Sequence, residues 1–335
     1  MPAQLFDGID ISLSTVQAGK IRRYKGLGVL AKLKLWRHYS YNIIDIVRVS
    51  LGFIKSLHLL AKDRPDIVFS KGGYPALPVC LAAVVLRLPL VTHDSDAVPG
   101  LSHRIVRRFV RKRLVGVGSS ASDNVVGVPI RSEFYKQGAG EESILQNYNI
   151  SKHDKYIVAT GGGLGATKLN MAVLDVFSAL EDHSIRLVLL SGEKDYELAQ
   201  ENIKATGNID RIELRAFSPD MPALLRRATV LITRAGATSM AEAAAAGVPS
   251  IILPNGSLPG GHQSHNAQAF ADAQAAIVIP SATNKVDHQA LTDNLRALVG
   301  DEQLRTKLSK NVQSLARPDA ATRTAMVILS EAGAA

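Results

Sequence analysis

The sequence predicts an α/β protein built as two Rossmann-like domains in tandem, and three observations carry that prediction. Short apolar runs alternate with helical stretches almost throughout the chain. The runs do not alternate polar with apolar residues, as expected of strands covered on both faces of a parallel sheet. The rhythm breaks near Val128 and restarts at "YIVATGGG" (156–163), and 335 residues are long for one core and comfortable for two domains.

In the first half, "PDIVFS" (65–70) is a β-branched run closed by the glycines of "KGGYP", and a helix over about 75–87 follows. "LPLVTHD" (88–94) is the next strand and "VPGLSHRIVRRFVRK" (98–112) the next helix; "KRLVGVG" and "DNVVGVP" supply two short strands. A polar stretch, "IRSEFYKQGAGEESILQNYNISKHDK", then separates the halves. In the second half "YIVATGGG", "IRLVLLSG", "RIELRAF", "TVLITRAG", "PSIILPNG" and "AAIVIP" are strands with helices between them, and Pro318 breaks the tail into two helices. The expected domains are 1–135 and 153–317, joined by a linker at 136–152, with a helix at 318–335 packing back on the first.

Composition narrows the function classes. The net charge is +9, with no acid between Asp10 and Asp45 and a second basic cluster at Arg104, Arg107, Arg108, Arg111, Lys112 and Arg113. Such surfaces attract nucleic acid, anionic lipid or phosphorylated ligands. Aromatic content is only 5% and no nucleic-acid motif is present, so no nucleic-acid partner is expected. The single Cys80 forms no intramolecular disulfide and fits a reducing compartment. No charge-free apolar run reaches about 18 residues and no signal-peptide layout opens the chain, so a cytoplasmic protein is expected.

Five segments carry side chains suited to a ligand. In "VATGGGLGATKLN" (158–170) a strand enters Gly161, Gly162, Gly163 and Gly165 before a helix; backbone amides there can meet an anion, or the glycines serve a tight turn. In "AFSPDMPALLRRA" (216–228), Phe217 and Met221 either flank a flat base or pack into the core at a strand end. In "TRAGATSMAEAAAAGVP" (233–249) a turn leads into an alanine helix with one acid, Glu242. That acid either takes both hydroxyls of a ribose or is a solvated helix residue.

In "PNGSLPGGHQSHNAQAF" (254–270), His262, Gln263 and Asn266 start a helix. His262 and Asn266 share a face four residues apart and can converge on one object; amide and imidazole groups suit sugar hydroxyls. No carboxylate lies at metal-ligand spacing from His262 and His265, so no metal is expected. In "THDSDAVPGLSHRI" (92–105), Asp94 and Asp96 follow a strand at the edge where open α/β sheets bind ligands. Either is a candidate general base, and Asp96 is equally placed to cap the next helix.

Taken in order, "KGGYPALP", "VVGVPIR", "GGGLGA", "RAGATSMAEAAAAGVP" and "GHQSHNA" resemble the MurG family over about Gly8 to Thr324. The resemblance implies a glycosyltransferase-B fold. It implies transfer of N-acetylglucosamine from UDP-N-acetylglucosamine to the lipid-linked muramyl-pentapeptide of peptidoglycan synthesis. By motif position, Phe217 and Met221 lie beside the uracil and Glu242 holds the ribose. Arg131, Gly162, Gly163 and the turn Gly236, Ala237, Thr238 sit near the diphosphate, and His262, Gln263 and Asn266 reach the sugar. No cofactor or metal is implied. The partners implied are the donor, the lipid-linked acceptor, an anionic membrane surface and cell-wall synthesis proteins, at the cytoplasmic face of the membrane. The stretch 20–54, where Trp36 stands among Lys32, Lys34 and Arg37, reads as a basic–apolar docking surface or as a solvated helix on the domain core.

Three departures accompany the resemblance. The family donor loop reads Gly-Gly-Ser-Gln-Gly-Ala where this chain has Gly163 and Leu164. His-Glu-Gln-Asn is replaced by His93, Asp94, Ser95 and Asp96. The family opens with a strand and a Gly-Gly-Thr-Gly-Gly-His loop, whereas this chain starts at what resembles the third strand region, "GIDISLST" (8–15), implying an N-terminally incomplete first domain. The alternative readings are a UDP-sugar-binding, membrane-docked remnant without turnover, and a related glycosyltransferase or UDP-sugar epimerase.

Overall fold

The computed structural model describes residues 11–19, 36–117, 124–136, 138, 140–162, 165–258, 260–281 and 284–333, with backbone alone for 36–42. The chain folds as two compact units. Met1–His93, Pro99–Arg113 and Ile328–Ala335 belong to the first, Asp94–Val98 and Leu114–Val327 to the second.

Helix α1 (Trp36–Asp63) leads into β1 (Val68–Ser70), α2 (Leu77–Val85), β2 (Leu90–Asp94), α3 (Leu101–Val106), β3 (Lys112–Val115) and β4 (Asn124–Val125). The strands lie in the order β1-β2-β3-β4, with β1 parallel to β2 from Val68↔Leu90 to Ser70↔Thr92. Val68, Cys80, Ala83, Leu90 and Val106 form the buried core of the first unit. Its helix expected over 98–112 stops at Val106, and one 3-10 turn (Arg107–Phe109) hands the chain to β3. The strand expected at "GIDISLST" is not seen over the described residues 11–15. The 11–19 backbone instead lies against α1, close enough that a Cβ on Gly52 would stand 1.8 Å from Gln17 O and one on Gly19 2.1 Å from Asp45 O.

In the second unit α4 (Glu141–Gln146) precedes a regular alternation. It runs β5 (Tyr156–Thr160), α5 (Thr167–Ser178), β6 (Arg186–Leu190), α6 (Tyr196–Thr206), β7 (Ile212–Arg215), α7 (Met221–Arg227) and β8 (Val230–Thr233). It continues through α8 (Ala237–Ala246), β9 (Ser250–Ile252), α9 (His262–Asp272), β10 (Ile277–Val278), α10 (His288–Gly300), α11 (Glu302–Ser314) and α12 (Ala320–Ala332). The six strands are all parallel, in the order β7-β6-β5-β8-β9-β10. This is the doubly wound order, and its direction reverses between β5 and β8, where such sheets bind ligands at their carboxyl ends.

The apolar strands are explained by two cores. Ile157, Ala159, Leu187, Leu189, Val230 and Ile232 face α5 and α10, where Leu169, Phe177 and Leu295 are buried. Tyr156, Val158, Val188, Leu190 and Leu231 face the other way, onto Leu224 and Leu225 of α7. With both faces covered, the middle positions of the central strands are apolar; truncating Phe177 to alanine would cost about 3–5 kcal/mol. The stretch expected as a linker, 136–152, contains α4, and its Leu145, Tyr148 and Ile150 are buried with Tyr156 and Leu224. The chain end from Ile328 on belongs to the first unit, where Arg111 Nη1 donates to Glu331 O at 3.3 Å.

Candidate active site

The candidate site lies in the second unit, at the carboxyl ends of β5, β8 and β9. After β5, Gly162 (φ +84°) and Gly165 (φ +73°) take left-handed backbone, and Gly165 N donates to Gly162 O at 2.9 Å. Space is as restrictive as conformation there: a Cβ on Gly161 would stand 2.4 Å from Ala166 Cβ, and one on Gly165 2.6 Å from Ser191 O. Gly163 and Leu164 lie outside the described residues. Behind this loop is a buried polar network that sequence reasoning missed. Thr167 Oγ1 donates to Asp195 Oδ1 at 2.7 Å, and Asn170 Nδ2 donates to Ser191 O (2.9 Å) and Asp195 Oδ2 (3.2 Å). The available signal was three polar residues at the start of an otherwise apolar helix and after strand β6.

After β8, Arg234 is buried and structural. Its Nη1 donates to Leu253 O at 2.9 Å and Nη2 to Asn284 Oδ1 at 2.7 Å, tying the ends of β8 and β9 together. Gly236 then stands at the N-cap of α8 without a side-chain cap, which leaves the first helical N–H groups beside Ala237 and the exposed Thr238 for another acceptor. Small residues on α8 surround Glu242. Its carboxylate is partly buried and has no hydrogen bond or ion pair among the described residues. Burial pushes its pKa from the ordinary 4.5 up to about 7, against the opposing charge of Arg131.

The loop 217–221 meets this acid through Arg131, whose Nη2 donates to Pro219 O at 3.1 Å and whose guanidinium stands 5.5 Å from the Phe134 ring. Phe217 is 73% exposed, so core packing does not account for it, whereas Met221 partly packs on the α7 core. The loop is rigid beneath its bare ring: the Tyr148 and Ser218 hydroxyls are bonded at 2.6 Å, Tyr148 donates to Asp220 Oδ2 at 2.8 Å, and Asp220 N donates to Ser218 Oγ at 3.0 Å.

Helix α9 departs most from expectation. Gln263 Oε1 accepts from Asn255 N at 2.8 Å, which orders the β9–α9 loop and leaves its NH2 group directed elsewhere. His262 Nδ1 lies 3.0 Å from Val98 O; a carbonyl only accepts, so Nδ1 carries the proton. Asn266 is fully buried, and its amide bonds to Ala97 N, Asp96 Oδ1 and Ala235 O. His262 and Asn266 do converge on one object, but that object is the 96–98 backbone and the Asp96 carboxylate. Asn266, expected to reach a sugar, here engages both polar ends of its amide with the protein. Asp94 is buried in β2 with its carbonyl accepting from Gly116 N at 2.7 Å, while Asp96 is half-exposed.

The carboxyl edge of the first unit carries its own polar cluster. Ser70 Oγ lies 3.0 Å from His103 Nε2 and accepts from Gly72 N at 3.1 Å, and Lys71 Nζ lies 3.1 Å from Nδ1 of the buried His93. Burial lowers the Lys71 pKa.

Residues 18–115 match the glycosyltransferase family 28 N-terminal domain and residues 156–324 the glycosyltransferase family 28 C-terminal domain. A UDP-N-acetylglucosamine–N-acetylmuramyl-(pentapeptide) pyrophosphoryl-undecaprenol N-acetylglucosamine transferase of Bacillus subtilis is 30% identical over 293 residues, 86% of this chain and 80% of that one. A Listeria monocytogenes protein of the same name is 32% identical over 296 residues, with the same coverage. Among solved structures, Acinetobacter baumannii MurG superposes with a TM-score of 0.67 at 23% identity, over 85% of this chain and 79% of that one. A putative UDP-N-acetylglucosamine 2-epimerase of Listeria monocytogenes reaches 0.63 at 16% identity, over 84% and 79% of the two chains. At these identities both structures show the shared fold alone.

Proposed function

Because the chain belongs to glycosyltransferase family 28, we propose that it transfers N-acetylglucosamine from UDP-N-acetylglucosamine to undecaprenyl-diphospho-N-acetylmuramoyl-pentapeptide, the lipid I to lipid II step of peptidoglycan synthesis. The observation that carries the donor half is Glu242: a partly buried carboxylate without a protein partner, on the same side of the unit as an exposed aromatic ring held on a rigid loop. A carboxylate only accepts, and the two hydroxyls of a ribose supply two donors to its two oxygens. Phe217 offers a face for uracil. The uncapped start of α8 and the Arg131 guanidinium oppose the charge that grows on the departing UDP. Gln263 and the Nε2 atom of His262 are the polar groups of α9 left for the sugar.

The same proposal covers the membrane. Among the described residues no helix is long and apolar enough to cross a bilayer. Helix α1 nonetheless exposes Ile43, Ile46, Val47, Leu51 and Ile54 on one face, beside the exposed Arg48 and Lys55. Phe109 and Ile105 stand exposed among Arg104, Arg107, Arg108 and Arg111. Apolar side chains ringed by cations suit an anionic bilayer surface, where the acceptor's lipid tail resides, and the protein docks there from the cytoplasmic side. Of the basic stretch read for this role, Lys20 to Leu35 lie outside the described residues, as does the Trp36 side chain.

The test is a transfer assay with radiolabelled UDP-N-acetylglucosamine and the lipid-linked acceptor, run beside calorimetric UDP binding. Labelled lipid product with wild type, and at least tenfold weaker UDP binding by Glu242→Ala, are expected. UDP binding without lipid product would leave only the donor half, and interconversion of free UDP-sugar without acceptor would replace transfer with epimerisation.

A further inference from the structure

Asp96 is held at one oxygen and open at the other. Its Oδ1 accepts from Asn266 Nδ2 at 2.8 Å, while Oδ2 has no partner among the described residues and the side chain is half-exposed. Asn266 fixes more than the carboxylate: its Oδ1 accepts from Ala97 N at 2.8 Å, so backbone and side chain of this segment hang on one amide. One helical turn earlier, His262 donates to Val98 O at 3.0 Å, giving the segment a second attachment to α9. The third bond of Asn266, from Nδ2 to Ala235 O at 3.0 Å, ties the assembly to the residue just before the Gly236–Thr238 turn. Asp96 is thereby anchored beside the helix start that faces the donor's diphosphate, and the anomeric carbon is bonded to that diphosphate.

We propose that Asp96 is the catalytic base for the acceptor hydroxyl and that Asn266 is the residue that positions it. The inference rests on the transfer reaction proposed above. In the step, the acceptor oxygen bonds to the anomeric carbon of N-acetylglucosamine. The bond from that carbon to the β-phosphate oxygen breaks with its electron pair leaving on UDP, and the hydroxyl proton passes to Asp96 Oδ2. Asp94, the other acid of the segment, is buried within β2 and does not present a carboxylate in this way. Asn266 suits its role because an amide supplies both a donor for the carboxylate and an acceptor for Ala97 N, so one side chain sets the rotamer and the backbone of the base.

The experiment uses the full chain with donor and lipid-linked acceptor, and follows kcat, donor KM, UDP affinity and melting temperature. Asp96→Ala should lose roughly 10²–10⁴-fold in kcat, the range of a positioned general base, with UDP affinity and melting temperature near wild type. Added formate, a small carboxylate that can occupy the cut-away side chain, should restore part of that kcat in Asp96→Ala and none in wild type. Asn266→Ala should lose roughly 10²-fold in kcat, as a misplaced catalytic group does, and formate should not rescue it. Asp96→Asn keeps an oxygen for Asn266 Nδ2 but removes the proton acceptor; it should hold melting temperature near wild type and lose kcat as Asp96→Ala does. Wild-type kcat in Asp96→Ala or in Asp96→Asn would overturn the assignment. A wild-type chain that makes no lipid product overturns the transfer reaction itself, a result read before any variant is compared.

Discussion

Tyr148 and Ser218 share a 2.6 Å hydrogen bond across 70 residues of sequence, and Tyr148 also donates to Asp220. This pair decides the pose of the loop between β7 and α7. The tyrosine belongs to the stretch read from sequence as a linker, and in the fold it is the post to which the candidate uracil-binding loop is tied. Tyr148→Phe removes both bonds and leaves the buried Ser218 hydroxyl one partner short. The expected cost is about 1–3 kcal/mol in denaturant unfolding. Donor KM should rise several-fold with kcat little changed, because the contact proposed for this loop is with the base end of the donor and not with the reacting carbon.

Phe217 separates binding from folding. At 73% exposure its ring contributes little to the core, so Phe217→Ala should leave unfolding free energy within about 0.5 kcal/mol of wild type. Loss of base stacking should nevertheless weaken UDP binding by about 1–3 kcal/mol, the range for a base on an aromatic ring. Calorimetry with UDP and with a ribose-5-phosphate control gives the comparison, since only the ligand that carries the base should lose affinity.

Glu242 ties affinity to pH. With its carboxyl pushed up to about 7, the acid is half protonated near neutrality, while the unfolded chain releases that proton near 4.5. The folded state therefore binds the extra proton between those values, and its contribution to stability is full below about 4.5 and lost as pH rises through about 7. Ribose binding runs the other way, since two hydroxyl donors need the ionised form. UDP affinity should climb from pH 6 to pH 8. Glu242→Gln should flatten that climb, weaken binding, and raise the ligand-free melting temperature at pH 8 but not at pH 4.5.

Both the legible and the hidden parts of this site have physical causes. Strand β5 could be read because Tyr156 to Thr160 are covered on both faces, and burial on both faces writes an unbroken apolar run. Glu242 stands out in the sequence because one acid among alanines has no local reason to be there, and the fold buries it partly. For Asn266, helical spacing put it on the same face as His262, but spacing cannot say whether that face meets a ligand or another stretch of chain, and here it meets the 96–98 segment. Asp195 was passed over because its partners, Thr167 and Asn170, lie 28 and 25 residues away, and no period in the sequence links them.

The glycines after β5 allow a graded test. A Cβ on Gly162 meets nothing within 4 Å, so Gly162→Ala carries only the strain of left-handed backbone, about 1 kcal/mol. Gly165→Ala adds a clash with Ser191 O to the same strain and should be the more destabilised of the two in thermal melts. It should also lose more UDP affinity, because Ser191 O is held by Asn170 and relieving the clash displaces the start of α5.

The exposed face of α1 gives the prediction for the bilayer. Val47 and Leu51 lie one turn apart among exposed neighbours, so Val47→Glu with Leu51→Glu changes the surface without opening a cavity. Sedimentation with vesicles containing anionic phosphatidylglycerol should pull down wild type at low salt. Binding should fall as ionic strength rises and the Debye length shrinks, from about 30 Å at 0.01 M to about 8 Å at 0.15 M. The double variant should stay in the supernatant, and its turnover of acceptor in vesicles should drop. Turnover of a detergent-dispersed, short-chain acceptor should be unchanged, because the substitutions alter only exposed side chains on the surface of the first unit. Equal vesicle binding by both proteins would mean that α1 is not the face that meets the membrane.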